Sequence, residues 1–446
     1  MKTKIARAPD LFSKVNKLYV NCRVMLNDYY PSIFRCRPSF PIVVDKGFGA
    51  EIWTVDGRRF LDFSGAATSL GQAHPKVVSA VKSGVEKITG FSGLLAPTEP
   101  FLKLGKELKS IVPIRNASIS YATTGSEAND FAIQLAKYST GRSVIISFYG
   151  AYHGLTGYAL FSSPTEGMRR VSPHLVDTIF APYPNCFQCK LEGIPCDSCA
   201  SKSVQFIERE ILSRAVEPEN VAAIIVEPLQ SHGGIILPPS SFFIELKRIA
   251  DEIGALLIVD EVYTGFGRTG KWWGIEHHGV EPDIIVMGKG MAGGLPLAAV
   301  AFRGDLIDEW YLCSGGSLGT FAGNYLSVLA SLATIEAIRE ENLIKNAEER
   351  GKQLKNALME FVDRFSIVAD ARGIGCVQGI EIYENNKPSK HLADKLKWIL
   401  FDKGLLAITV GRYHNVIKLT PPITITESQM EESIEILESS LKTISS

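Results

Sequence analysis

The stretch LLIVDEVYTGFGRTG, residues 256–270, decides the fold. An apolar run ends on two carboxylates, Asp260 and Glu261, and a glycine-rich loop follows. A short apolar run closed by turn residues reads as a buried strand. Similar runs lie on both sides of it: SISYA (118–122), SVIISF (143–148), AAIIVE (222–227) and DIIVM (283–287). Stretches of helical period separate most of them, such as SEANDFAIQLAKYST (126–140) and SSFFIELKRIADEIG (240–254). This alternation predicts an α/β fold with a mostly parallel sheet covered by helices. Such sheets bind ligands at the carboxyl ends of their strands. Thr124, Glu227, Asp260 and Lys289 all follow strands.

The chain has 446 residues, too many for one ordinary domain. From residue 325 a long helical stretch begins, then SIVADARG, VQGIEIY and VIKLTPP read as short strands, and a last helix closes the chain. We expect a large domain over residues 56–330. Residues 331–446 form the C-terminal part of a smaller α+β domain, which residues 1–55 join. Formal net charge is -1, with both signs interspersed, which gives no sign of a nucleic-acid partner. No apolar run approaches the roughly 18 residues of a spanning helix, so no membrane partner is expected. The basic N-terminus lacks the apolar core of a secretory signal, and a cytoplasmic location is expected.

Eight cysteines are present. Cys22, Cys36, Cys313 and Cys376 are scattered and read as buried thiols. Cys186, Cys189, Cys196 and Cys199 form two C-x-x-C pairs, a metal-ligand pattern with a short six-residue spacer. A structural metal, a disulfide and four free thiols all fit that pattern.

Three segments carry chemistry. TTGSEAND (123–130) opens a helix, where Gly125 and Ser126 can hold an anion, although a plain serine cap gives the same pattern. Asp260 is a carboxylate at a strand end, suited to a cationic ring nitrogen, a metal or a loop cap. Lys289, in DIIVMGKGMAGG, stands between apolar runs with glycines beside it. A lysine in a low-polarity site has a lowered pKa, and its neutral amine can form a Schiff base with an aldehyde. Together the three match the aldehyde, ring nitrogen and phosphate of pyridoxal 5'-phosphate. No P-loop or dinucleotide fingerprint is present, which argues against an ATPase or a dehydrogenase.

The chain also resembles the class III aminotransferases, which have the aspartate-aminotransferase-like fold (PLP fold type I). The resemblance rests on GAYHG, VDEVYTGFGRTG, GKGMAGGLPL and TFAGN in order, and spans nearly the whole chain. It implies that Lys289 carries the cofactor as a Schiff base and moves the substrate Cα proton. It implies that Asp260 holds the pyridine nitrogen, that Tyr152 and Val262 cover the two ring faces, and that Gly125 and Ser126 bind the phosphate. Thr320 would reach the phosphate of a neighbouring subunit, so a homodimer or larger homo-oligomer is expected. Gln230 would lie near the ring hydroxyl, with Glu227 behind it.

Three positions depart from the 4-aminobutyrate branch of that family. Leu155 stands where an arginine would bind a distal carboxylate. His232 stands where an acidic residue precedes GG, and Lys418 where a second arginine would bind an α-carboxylate. The partners implied are a small amine or ω-amino acid donor and a keto acid, in a ping-pong cycle. Decarboxylation of the dialkylglycine type, racemisation or epimerisation, and phospholyase chemistry share the same apparatus. A catalytically idle scaffold is disfavoured by the intact Lys289 and Asp260.

Overall fold

A computed structural model of the chain describes residues 39–65, 67–91, 93, 95–164, 177–307 and 319–445. Cys22, Cys36, Cys313 and the first 38 residues of the expected N-terminal segment lie outside them.

Seven strands build the large sheet: β1 (Ala117–Ala122), β2 (Val144–Phe148), β3 (Thr178–Ala181), β4 (Val221–Val226), β5 (Leu256–Asp260), β6 (Ile284–Met287) and β7 (Ala298–Arg303). Their order is β1-β7-β6-β5-β4-β2-β3. All neighbours are parallel except β7, which runs antiparallel to both β1 and β6. The ten residues 288–297 that join β6 to β7 are too few for a parallel crossover with its helix.

The strands are apolar throughout because both faces are covered. Side chains alternate between faces along each strand. Ile145, Ala223, Ile225, Ile258, Ile284 and Val286 pack with Phe131, Ala132 and Leu135 of helix α1 (Gly125–Thr140). Ile146, Ile224, Val226, Leu257, Val259 and Ile285 face the other way. They pack with Phe242, Phe243 and Leu246 of a later helix, Ser240–Ile253. Asp260, two residues beyond Ile258, therefore points to the side that α1 covers.

A second core surrounds Leu354, Leu358, Phe361, Ile380, Leu396, Ile417 and Leu437. Its sheet includes Val368–Ile374, Val377–Glu384, Ile408–Val410 and Val416–Leu419. The strands Val44–Phe48, Glu51–Thr54 and Arg59–Asp62 form a separate ribbon. Its last strand pairs in parallel with Leu405–Leu406, so this N-terminal segment joins the C-terminal part of the chain.

Ile258 is fully buried at the centre of the sheet. Ile258→Ala is expected to lower the unfolding free energy by about 2–5 kcal/mol in urea titrations, through lost burial and the cavity left behind.

Candidate active site

The strand ends deliver the polar residues to one cavity. Gly65, Tyr152, Glu227, Ser231, His232, Asp260, Val262, Tyr263, Lys289 and Lys418 line it. Asp260, Lys289, Tyr152, Val262 and Glu227 are thus brought together as expected residues of a site. Gly125, Ser126, Gln230 and Thr320 do not line the cavity.

Asp260 is fixed by three donors. Asn129 Nδ2 donates to Oδ2 at 2.9 Å, and His153 Nδ1 lies 2.8 Å from the same oxygen. The Val262 N–H donates to Oδ1 at 3.0 Å. Asn129 is four residues beyond Gly125 on α1 and also donates to the His153 carbonyl at 2.7 Å. Sequence reasoning passed over both residues, although each lies within a motif already singled out, TTGSEAND and GAYHG. Their signal is spatial: Asn129 is turned inward on α1, and the loop after β2 carries His153 across to it.

Glu261 is turned away from the cavity. Its carboxylate takes the N–H groups of Gly274 (2.9 Å) and Ile275 (2.7 Å) and the Thr264 hydroxyl. It closes the glycine-rich loop from inside.

Lys289 follows β6 with φ +41°, a left-handed conformation that is uncommon for a residue other than glycine. The next residue, Gly290, packs against Ser69, and a Cβ there would lie 2.1 Å from Ser69 Oγ. Close approach to Ser69 requires that glycine. The Lys289 amine is pulled below its ordinary pKa by loss of solvent, an effect that the Asp260 charge opposes. Its Nζ stands 5.0 Å from the Tyr263 ring centroid, and Lys418 Nζ stands 5.1 Å from the same centroid. Tyr263 was not foreseen. Burial alone would raise its phenol, but Lys418 and Arg268 bring it down to about 8. The hydroxyl donates to Thr420 Oγ1 at 2.9 Å.

The phosphate candidates lie at the start of α1. Thr124, not Ser126, caps this helix, accepting the Glu127 N–H at 3.2 Å. The serine-cap alternative therefore falls, and the Ser126 hydroxyl instead accepts the Leu155 N–H at 3.1 Å. A Cβ on Gly125 would come within 2.9 Å of Val262 Cγ1, so the helix start sits directly against the cavity wall. Thr320 is exposed in the single chain, and the neighbouring Gly319 lies against Glu127 of α1. Gln230 donates to the Tyr149 carbonyl at 3.0 Å. Leu155 is 53% exposed, whereas Lys418 is 6% exposed and faces the cavity. The Tyr152 and His232 rings lie 5.1 Å apart, and burial, with Lys418 nearby, lowers the His232 pKa.

An amine, a carboxylate, an aromatic ring and an apolar side chain on one cavity, with a helix start behind them, fit pyridoxal phosphate. The family model for class III aminotransferases matches residues 35–441, and the chain belongs to this family. It is a transaminase-family enzyme whose cofactor is pyridoxal 5'-phosphate. It is 40% identical to an alanine/serine racemase of Pyrococcus horikoshii, over 90% of this chain and 86% of that one. It is 35% identical to the 4-aminobutyrate aminotransferase of Escherichia coli, over 89% and 92%. Its fold superposes with TM-score 0.86 on an (S)-enantioselective omega-transaminase from Thermomicrobium roseum, at 25% identity over 94% and 98%. Among the described residues no helix is long and apolar enough to cross a membrane.

Glu227 accepts the Tyr152 N–H at 3.0 Å, and burial pushes its carboxyl up to about 7 from 4.5. The folded chain therefore binds this proton more tightly than the unfolded chain. The stability it contributes is complete below pH 4.5 and is lost as pH rises through about 7. In urea unfolding of the cofactor-free chain, Glu227→Gln should gain on the wild type between about pH 5 and pH 8, by on the order of 1–3 kcal/mol. A constant difference across that range would contradict the assignment.

Proposed function

We propose that the chain moves an amino group from a small amine or ω-amino acid to a monocarboxylic keto acid in a ping-pong cycle. The observation that carries this reading is the company Lys289 and Asp260 keep. They share one cavity with Lys418, and no arginine is among the described residues that line it. A lysine offers one point charge in place of arginine's two-pronged fork. That suits a single carboxylate, as in pyruvate or glyoxylate, better than a dicarboxylate.

Bound pyridoxal phosphate would supply an aldehyde for amino groups and a ring that draws electrons from the substrate. Lys289 would hold that aldehyde and move the proton at the substrate Cα, its lowered pKa favouring the neutral amine. Asp260, locked by Asn129, His153 and Val262, would hold the ring nitrogen. Tyr152 and Val262 would press on the two faces, and Gln230 would lie near the ring hydroxyl with Glu227 behind Tyr152. Gly125 and Ser126 would take the phosphate. Thr320 of a second copy of this chain would join them, which makes the active form a homodimer or larger.

Racemisation of a small or apolar α-amino acid is the second reading. The similarity to the archaeal alanine/serine racemase favours it, as does the loss of both expected arginines at Leu155 and Lys418.

A screen of amine donors against pyruvate and glyoxylate, with chiral analysis of the amino acids, separates the two readings. The proposal expects a new keto acid or aldehyde in step with a new amino acid. It also expects Lys418→Met to raise the acceptor KM by about tenfold or more, from loss of a charged hydrogen bond. Inversion of an amino acid with no keto product would establish the racemase instead.

A further inference from the structure

The four clustered cysteines have no part in the site, and none lines the cavity. They lie in the connection between β3 and β4, on helices α2 (Cys186–Leu191) and α3 (Cys196–Phe206). Residues three apart on a helix are neighbours on one face. Each C-x-x-C pair therefore presents two sulfurs side by side, and the two helices meet in step. Cys186 is bonded to Cys196, with a Cα–Cα distance of 5.0 Å. One turn further on, Cys189 Sγ and Cys199 Sγ stand 2.7 Å apart, within about an ångström of bonding distance. Both pairs have the same separation of ten residues.

We infer that Cys189 and Cys199 are a second redox pair, which a disulfide oxidant closes beside Cys186–Cys196 into a two-bond clasp. Cys189, the less buried thiol, attacks one sulfur of the oxidant and displaces a thiol. Cys199 then attacks the Cys189 sulfur of the mixed disulfide and displaces the second thiol. Two protons and two electrons leave the pair, and the oxidant is reduced to two thiols. Burial beside Cys189 pushes the Cys199 thiol up to about 12, which leaves the first attack to Cys189.

The clasp has a structural task. Helix α2 has six residues and buries none of them. So short a helix does not persist on its own in water. Helix α3, by contrast, sends Cys199, Ala200, Ser203 and Val204 into the interior. The sulfur bonds therefore hold α2 onto an anchored neighbour. Phe187 of α2 in turn packs edge-on against Tyr383 of the second sheet, 5.7 Å between ring centroids. The clasp thus holds the part of the β3–β4 connection that meets the second sheet at Tyr383.

The test uses the full chain equilibrated with oxidised or reduced glutathione, then alkylated and mapped by mass spectrometry. In the oxidised chain, Cys186–Cys196 and Cys189–Cys199 cross-links are expected, with alkylation of Cys189 and Cys199 reduced at least tenfold. Trypsin cleavage after exposed Lys190 should be at least tenfold faster in the reduced chain. Cys189→Ser should keep the first cross-link and full transaminase activity, and should be cleaved faster than the oxidised wild type. Equal alkylation of Cys189 and Cys199 in both states would overturn the inference. So would cross-links within each C-x-x-C pair, or one zinc ion per chain on four intact thiols.

Discussion

The arrangement of this molecule turns on the carboxylate of Asp260. Three donors from separate segments hold it: Asn129 on α1, His153 from the loop after β2, and the Val262 N–H. Each belongs to an element that the large sheet places for other reasons. Asn129 faces inward because α1 packs on the Ile258 side of the sheet. His153 crosses over because β2 and β5 both flank β4. A buried carboxylate without these partners would cost several kcal/mol. The residue that would meet the cofactor ring is thus also a junction of helix, strand and loop.

Lys289 depends on a different constraint. The link from β6 returns antiparallel as β7, and it must turn within ten residues. The left-handed backbone at Lys289 and the tight contact of Gly290 with Ser69 are parts of that turn. Strain of this kind persists only where surrounding structure over-determines it, and it gathers at functional sites. The Lys289 and Lys418 amines both lie near the Tyr263 ring, 5.0 and 5.1 Å from its centroid. A lysine in place of the expected arginine at position 418 changes what this wall can grip.

Much of this was legible in the sequence because it is local. Apolar runs of strand length mark β1, β2, β4, β5 and β6, and Asp260 and Lys289 follow their strands directly. The α/β class and the family follow from those runs and the motifs within them. What escaped is what needs two distant segments at once. The direction of β7 follows from the length of its link, not from its composition. Asn129 and His153 carry no mark of their joint partner. Thr124 displaces Ser126 as the helix cap because α1 begins at Gly125, two residues earlier than a Ser126 cap would place it. Tyr263 reads as one more aromatic beside a strand until Lys418, 155 residues later, packs on its face. The cysteine pattern admits three readings, and only the fold brings Cys186 to Cys196 and Cys189 to Cys199.

The central claim is that Lys289, and no other amine, holds the cofactor. Lys418 makes this a sharp question, because it faces the same cavity and is also buried. The chain can be incubated with pyridoxal 5'-phosphate, reduced with borohydride and mapped by peptide mass spectrometry. The account predicts one modified residue per chain, on the peptide that contains Lys289, and none on the peptide that contains Lys418. A label on Lys418, or no stable label at all, would contradict it.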